Sequence, residues 1–200
     1  MRVAFTGAHG VGKTTASRVL WEAIRDEKKN GLVVVLGSVT RNVLDWGGNS
    51  RSSGPKLTPE SNSFQLACIY ERRHKMLDVS SLRADYLISE RWAMDETAYQ
   101  MYKVRENRTN EATDTLRVCQ MEMRWELENY WDTVYYIPLS GREIENDGTR
   151  PTDVRYQTEI DELIRYSLKS TSLSSKVKTI PTELEEMREF FDKEVKKWKK

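Results

Sequence analysis

Two hundred residues, 38% of them hydrophobic, can enclose one good core, so a single domain over residues 1–200 is the expectation. Charged residues make up 32% of the chain but nearly cancel, 32 Lys and Arg against 31 Asp and Glu; that balance disfavours a sequence-independent grip on duplex DNA, which leaves a basic excess. Cys68 and Cys119 are too few and too separated for a disulfide framework or metal cluster, and the chain has neither a leader-like start nor an apolar run of membrane-spanning length, so a soluble cytoplasmic protein is expected, with no membrane partner.

The apolar run Val3-Ala4-Phe5-Thr6 predicts a buried first strand. Directly after it, Gly7-Ala8-His9-Gly10-Val11-Gly12-Lys13-Thr14 fits the pattern G-x-x-x-x-G-K-[ST]. Glycines at 7, 10 and 12 open backbone conformations closed to other residues, so successive N–H groups can turn inward around phosphate oxygens. Lys13 would then reach the β- and γ-phosphates of a nucleoside triphosphate, and the Thr14 hydroxyl would ligate Mg²⁺. The next helix, read from Ala16, Val19, Leu20, Ala23 and Ile24, would add its positive end. Gly7, Gly10, Val11, Gly12, Lys13, Thr14 and Thr15 are the expected triphosphate cradle. His9, a lone loop histidine, is assigned no role.

Lys28-Lys29-Asn30-Gly31 supplies a helix stop, and Leu32 to Leu36 reads as a second strand whose continuous apolar run suits a sheet covered on both faces. Ser38 to Trp46 suits a short helix and Gly47 to Pro59 a mobile loop. Thr58-Pro59 opens a helix to about Val79, with Phe64, Ala67 and Cys68 on one side beside Leu66, Tyr70 and Leu77. On it Arg72, Arg73 and Lys75 read, with Glu71, as solvated surface. Tyr86 to Ser89 is the third strand, Ala93 to Tyr102 a helix, and Lys103 to Asp114 an aperiodic, exposed stretch. Leu116, Cys119, Met123, Leu127 and Tyr130 mark a long amphipathic helix, and Val134 to Ile137 a fourth strand. A polar, lid-like loop spans 139–151. Tyr156, Ile160, Leu163, Ile164 and Ser167 form another helical stripe; Lys176 to Ile180 is the fifth strand; Thr182 with Glu185 reads as a capping box for a last helix carrying Leu184, Met187, Phe191, Val195 and Trp198. Alternating strands and helices imply a parallel sheet with helices on both faces, a three-layer α/β/α architecture.

Ligands of open α/β sheets bind beyond the carboxyl ends of the strands. After the third strand stand Ser89-Glu90-Arg91-Trp92, then Asp95 and Tyr99 at i, i+4 spacing. Glu90 could hold Mg²⁺ through water or accept a proton from an attacking hydroxyl, and Arg91 could neutralise a transferred phosphoryl group. After the fourth strand, Arg142 and Arg150 lie on a loop that can close over a triphosphate. Arg41, after the second strand, could meet an acceptor, and Trp46, Trp92 and Tyr99 could stack on a base, although aromatics beside an α/β core usually pack.

Together these segments resemble the P-loop nucleoside and nucleotide kinase superfamily. Ser89-Glu90-Arg91-Trp92 followed by Ala98-Tyr99-Gln100 resembles the acid-Arg segment of thymidylate kinases and deoxynucleoside kinases, and Asp147-Gly148-Thr149-Arg150 leading into 156–168 is similar to ribosylnicotinamide-kinase-type domains, often labelled AAA and often phage-encoded. The resemblance implies the P-loop nucleoside triphosphate hydrolase fold with a five-stranded parallel sheet, ATP and Mg²⁺ as cofactors, and a closing lid. It places Glu90 and Arg91 at the acceptor and reacting phosphate, Asp95 in the acceptor pocket, and Arg142 and Arg150 on the lid. The chain departs from related domains in carrying Ser38, not an acid, three residues before Arg41, and neither 47–59 nor 103–114 has a counterpart.

Three functions follow. The first is a kinase that transfers the γ-phosphoryl group to a nucleoside, nucleoside monophosphate or similar small acceptor. The second keeps that chemistry but places the acceptor hydroxyl in DNA or RNA, motivated by 47–59, Arg72-Arg73 and Trp46; near-neutral charge argues the other way. The third is an ATPase or switch module acting on a protein partner. Catalytic roles are expected of Lys13, Glu90, Arg91, Asp95, Arg142 and Arg150, substrate contacts of Arg41, Trp92 and Tyr99, and metal contacts of Thr14 and Glu90, with a homodimer left open.

Overall fold

The structure is a computed structural model and describes residues 1–37, 39–40, 42–43, 61–141, 153–170 and 174–198. Its strands are β1 (Arg2–Thr6), β2 (Val33–Leu36), β3 (Tyr86–Ser89), β4 (Thr133–Tyr136) and β5 (Val177–Thr179), joined in one parallel sheet of order β2-β3-β1-β4-β5. The helices are α1 (Lys13–Glu27), α2 (Asn62–Ser81), α3 (Ala93–Glu106), α4 (Asn110–Asn129), α5 (Val154–Ser170) and α6 (Leu184–Lys197), with a 3₁₀ turn at Ser174–Lys176. This is the expected α/β architecture.

Strand alternation divides the core in two. Val3, Phe5, Tyr86, Ile88 and Tyr135 project to one face, where α1 supplies Ala16, Val19, Leu20 and Ile24 and α6 supplies Met187, Phe191 and Val195. Ala4, Leu87, Val134 and Tyr136 project to the other, against Met76 of α2, Met94 and Ala98 of α3, Leu127 of α4, and Ile160 and Ile164 of α5. The period-2 reversal of side chains makes three layers from one sheet. β1 lies between β3 and β4, so consecutive connections diverge on either side of it, opening a crevice beyond its carboxyl end.

Several local expectations are corrected. β2 is an edge strand, and Val35 is exposed, because only one neighbour, β3, lies beside it. The helix stop falls within 28–31 as expected, with Lys28 as the C-cap of α1, and Gly31 lies against the Tyr86 ring, which a Cβ there would approach to 2.6 Å. The stretch 103–114 is largely helical: α3 runs on to Glu106, and Thr109 restarts the chain as the N-cap of α4, its hydroxyl accepting from the Ala112 N–H at 3.0 Å. Residues 105–111 are exposed as expected. α6 begins at Leu184 with Glu183 as N-cap, one position after the Thr182–Glu185 box. Tyr70 and Leu77 face outward from α2. Arg41, Trp46, the loop 47–59, and Arg142 and Arg150 of the lid-like loop lie outside the described residues.

The largest correction concerns Arg72, which is 0% exposed. Its Nη1 donates to Glu96 Oε1 of α3 at 2.9 Å and its Nε to Glu126 Oε1 of α4 at 3.2 Å. The other Glu126 oxygen accepts from the Ala93 N–H at 3.2 Å and the Trp131 indole N–H at 2.9 Å. Trp92 at the N-cap has no side-chain acceptor to offer, so this carboxylate from a neighbouring helix occupies the positive end of α3. Burial pushes Glu96 above the ordinary carboxylate range, opposed by the Arg72 charge. A polar residue in a helical pattern reads as surface until the partner helices that enclose it are known.

Candidate active site

Between β1 and α1 the glycines take the conformations the motif requires. Gly7, Gly10 and Gly12 have φ of 151°, 78° and 93°. A Cβ on Gly7 would lie 2.7 Å from the Ile137 carbonyl, whereas one on Gly12 would meet nothing within 4 Å. Gly7 thus lets the loop leave the sheet, and Gly12, the N-cap of α1, borders open space. No side chain caps α1 and no acid stands in its first turn, so its positive end is left for an anion.

Lys13 is buried, and its ammonium donates to the Gly7 and Ala8 carbonyls, the latter at 2.8 Å. It lies 3.7 Å from Asp95 Oδ2. Asp95 is the centre of the site. Its Oδ1 accepts from Thr6 Oγ1 at 2.6 Å and its Oδ2 from Arg91 Nη1 at 3.2 Å. Thr6 closes β1 on the Ala4 face, and Arg91 and Asp95 are one helical turn apart at the start of α3. Parallel register therefore brings the phosphate loop and the Glu90-Arg91 segment to the same crevice.

Glu90 extends from the end of β3 to the first turns of α1. Its Oε2 accepts from Thr14 Oγ1 at 3.2 Å and its Oε1 from Ser17 Oγ at 3.4 Å. Tyr99, a turn beyond Asp95 on α3, hydrogen-bonds His9 Nδ1 at 3.2 Å. Burial raises the Tyr99 phenol, against the pull of the Arg91 charge; burial would lower Arg91, but the phenol and Asp95 carry it above its ordinary value.

The structure brings Lys13, Thr14, Glu90, Arg91, Asp95 and Tyr99 together, while Trp92 departs from its expected role. The Trp92 side chain is fully enclosed in the core on the α2–α5 face and offers no surface on which a base could stack. Sequence reasoning also missed residues. Thr6 holds Asp95. His9 is buried rather than a bystander. From α5, Gln157 Nε2 donates to the His9 carbonyl at 2.6 Å, and Asp161 Oδ1 accepts from the Tyr136 hydroxyl at 2.8 Å. Burial raises the Asp161 carboxyl, opposed by the Tyr136 hydrogen bond, Arg165 and Lys13. Gln157 and Asp161 share a helical stripe with Ile164 and Leu168, and polar residues inside an apolar stripe were the available signal.

A family model described as an AAA domain matches residues 2–187. No curated protein matches. Among solved structures, a deoxyadenosine kinase from M. mycoides with dCMP and dCDP bound is 13% identical with a TM-score of 0.63, the match covering 98% of each chain. A thymidylate kinase from Ehrlichia chaffeensis is 19% identical with a TM-score of 0.59, covering 98% of this chain and 97% of that one. The chain has the P-loop fold of nucleoside and nucleotide kinases.

Proposed function

The chain belongs to the AAA-domain family, and from the site it builds we propose that it is an ATP- and Mg²⁺-dependent kinase transferring the γ-phosphoryl group to a nucleoside, nucleoside monophosphate or similar small acceptor. The observation that carries this reading is Asp95, enclosed at the carboxyl end of β1 between Thr6, Lys13 and Arg91. One carboxylate there orders two cations that come from opposite sides of the crevice, the donor loop and the acid-Arg segment.

Phosphoryl transfer asks a protein mainly for alignment and for positive groups where charge spreads over the transferred oxygens. The loop amides and Lys13 would hold the β- and γ-phosphates. Arg91, fixed by Asp95, would stand on the acceptor side. Because Asp95 is fully enclosed and already engaged, it acts as the holder of Lys13 and Arg91, and the half-buried Glu90 is the carboxylate placed to meet the reacting groups.

The residues fit Mg²⁺. An octahedral ion with oxygen ligands at 2.0–2.1 Å has adjacent ligands about 3 Å apart, and the Thr14 hydroxyl and Glu90 carboxylate oxygens are 3.2 Å apart. Among the described residues no group of three or more His, Cys, Asp or Glu is placed to hold a metal, which suits an ion shared with substrate phosphates. Bound there, Mg²⁺ would neutralise phosphate charge; Thr14 and Glu90 would hold it, and Ser17 would steady Glu90.

Burial of Arg72 weakens the case for an acceptor within DNA or RNA, since that residue is not available to a phosphate backbone. The test is incubation with MgATP and a panel of nucleosides and nucleotides, measuring ADP release. Turnover dependent on one of them supports the kinase; MgATP binding by calorimetry with no acceptor-dependent turnover across the panel opposes it.

A further inference from the structure

Gln157 grips the phosphate loop by its main chain. Its Nε2 donates to the His9 carbonyl at 2.6 Å, and both partners are enclosed, Gln157 being 6% exposed and His9 4%. The neighbouring Tyr156 packs its ring against the His9 ring, centroids 5.4 Å apart, so two consecutive residues of α5 hold one residue of the loop. The first turn of α5 is itself fixed. Asp153 Oδ1 accepts from the Arg155 N–H at 2.8 Å and the Tyr156 N–H at 3.3 Å, and Tyr156 stands edge-on to Tyr102 of α3 at 4.7 Å.

A trans peptide is planar, and its C=O and N–H point opposite ways. The bond from Gln157 to the His9 carbonyl therefore turns the N–H of the same peptide, that of Gly10, away from α5. Because α5 packs on one face of the sheet and α1 on the other, away from α5 is toward the α1 side of the loop, where Gly10 is exposed. The glycine alone does not keep this orientation. Gly10 has φ of 78°, and glycine passes between positive and negative φ at little cost, so an unheld His9–Gly10 peptide can rotate and present its carbonyl where the N–H stood. An oxygen there repels a phosphate, whereas an N–H attracts it. We propose that Gln157 is a positioning residue that locks this peptide with its N–H toward the bound triphosphate. The inference rests on the reading of residues 7–14 as a triphosphate cradle and is independent of the acceptor.

Gln157→Leu keeps most of the bulk of the side chain and removes the donor. In ¹H–¹⁵N spectra of the wild-type protein, the Gly10 amide proton should move downfield on addition of MgATP, as an N–H does on meeting an anion. In Gln157→Leu that shift should be largely lost. Calorimetry should show MgATP affinity about tenfold lower, as for loss of one hydrogen bond to a charged group, while the melting temperature falls by only about 2–4 °C. Gln157→Ala removes the donor and adds no bulk, and it carries the test if the leucine variant does not fold. A folded variant whose affinity and Gly10 shift match the wild type overturns the proposal. Weakened binding with the Gly10 shift unchanged also overturns it, because Gln157 would then act elsewhere. Absence of MgATP binding by the wild-type protein overturns the triphosphate reading and the role of Gln157 with it. Binding without acceptor-dependent turnover counts against the kinase reading alone and leaves the role of Gln157 standing.

Discussion

Thr6 and Asp95 meet at 2.6 Å, the last side chain of β1 donating to a carboxylate in the first turn of α3. They are 89 positions apart in the chain, yet this bond fixes where Arg91 and Lys13 sit relative to the phosphate loop.

Asp95→Asn should therefore reduce kcat far more than it alters MgATP binding. The amide can still accept from Thr6, but it leaves Lys13 and Arg91 without their shared counter-charge. Loss of one preorganised electrostatic group typically costs about a hundredfold or more in rate, and steady-state kinetics beside calorimetric titration of MgATP separates the two effects.

Gly12→Ala divides stability from binding. A left-handed backbone at an L-residue costs roughly 1–2 kcal/mol, and because nothing lies within 4 Å of the added methyl, no clash enlarges that cost. The methyl projects into the space bordered by the helix end, so the variant should melt only a few degrees lower but bind MgATP too weakly to saturate. Gly7→Ala, whose methyl would strike the Ile137 carbonyl at 2.7 Å, should instead fail to fold.

Arg72→Met leaves Glu96 and Glu126 enclosed without a cation. Removing one partner of a buried ion pair costs about 3–5 kcal/mol. Glu96→Gln in the same background should recover part of the loss by removing one of the two carboxylates. Equal denaturation midpoints for Arg72→Met and wild type would show that the network does not hold the helices.

Asp161 sets a pH dependence. Burial raises its folded-state value above the ordinary 3.8, so the folded protein binds this proton more tightly than the unfolded chain. Its contribution to stability is present below the unfolded value and is lost as pH rises through the folded one. Asp161→Asn, which still accepts from Tyr136, should gain stability relative to wild type as pH rises from about 4 toward neutrality. Melting curves across that range check the sign; a relative loss on raising pH contradicts it.

The phosphate loop, the strand–helix alternation and the sites at the ends of β1 and β3 were legible in the amino-acid sequence because each is a local property. A glycine pattern, an apolar run or a helical period is written in neighbouring residues, and they specify a backbone that presents N–H groups to an anion. The roles of Thr6, His9, Gln157, Asp161 and Arg72, and the enclosure of Trp92, were decided only by tertiary structure. The helical pattern offers a polar side chain several faces, and an arginine looks the same on paper whether it meets water or two carboxylates. Only the packing of α2 against α3 and α4, and of α5 against the loop, excludes water from these groups, and exclusion of water is what turns a charge from surface into an element of the site.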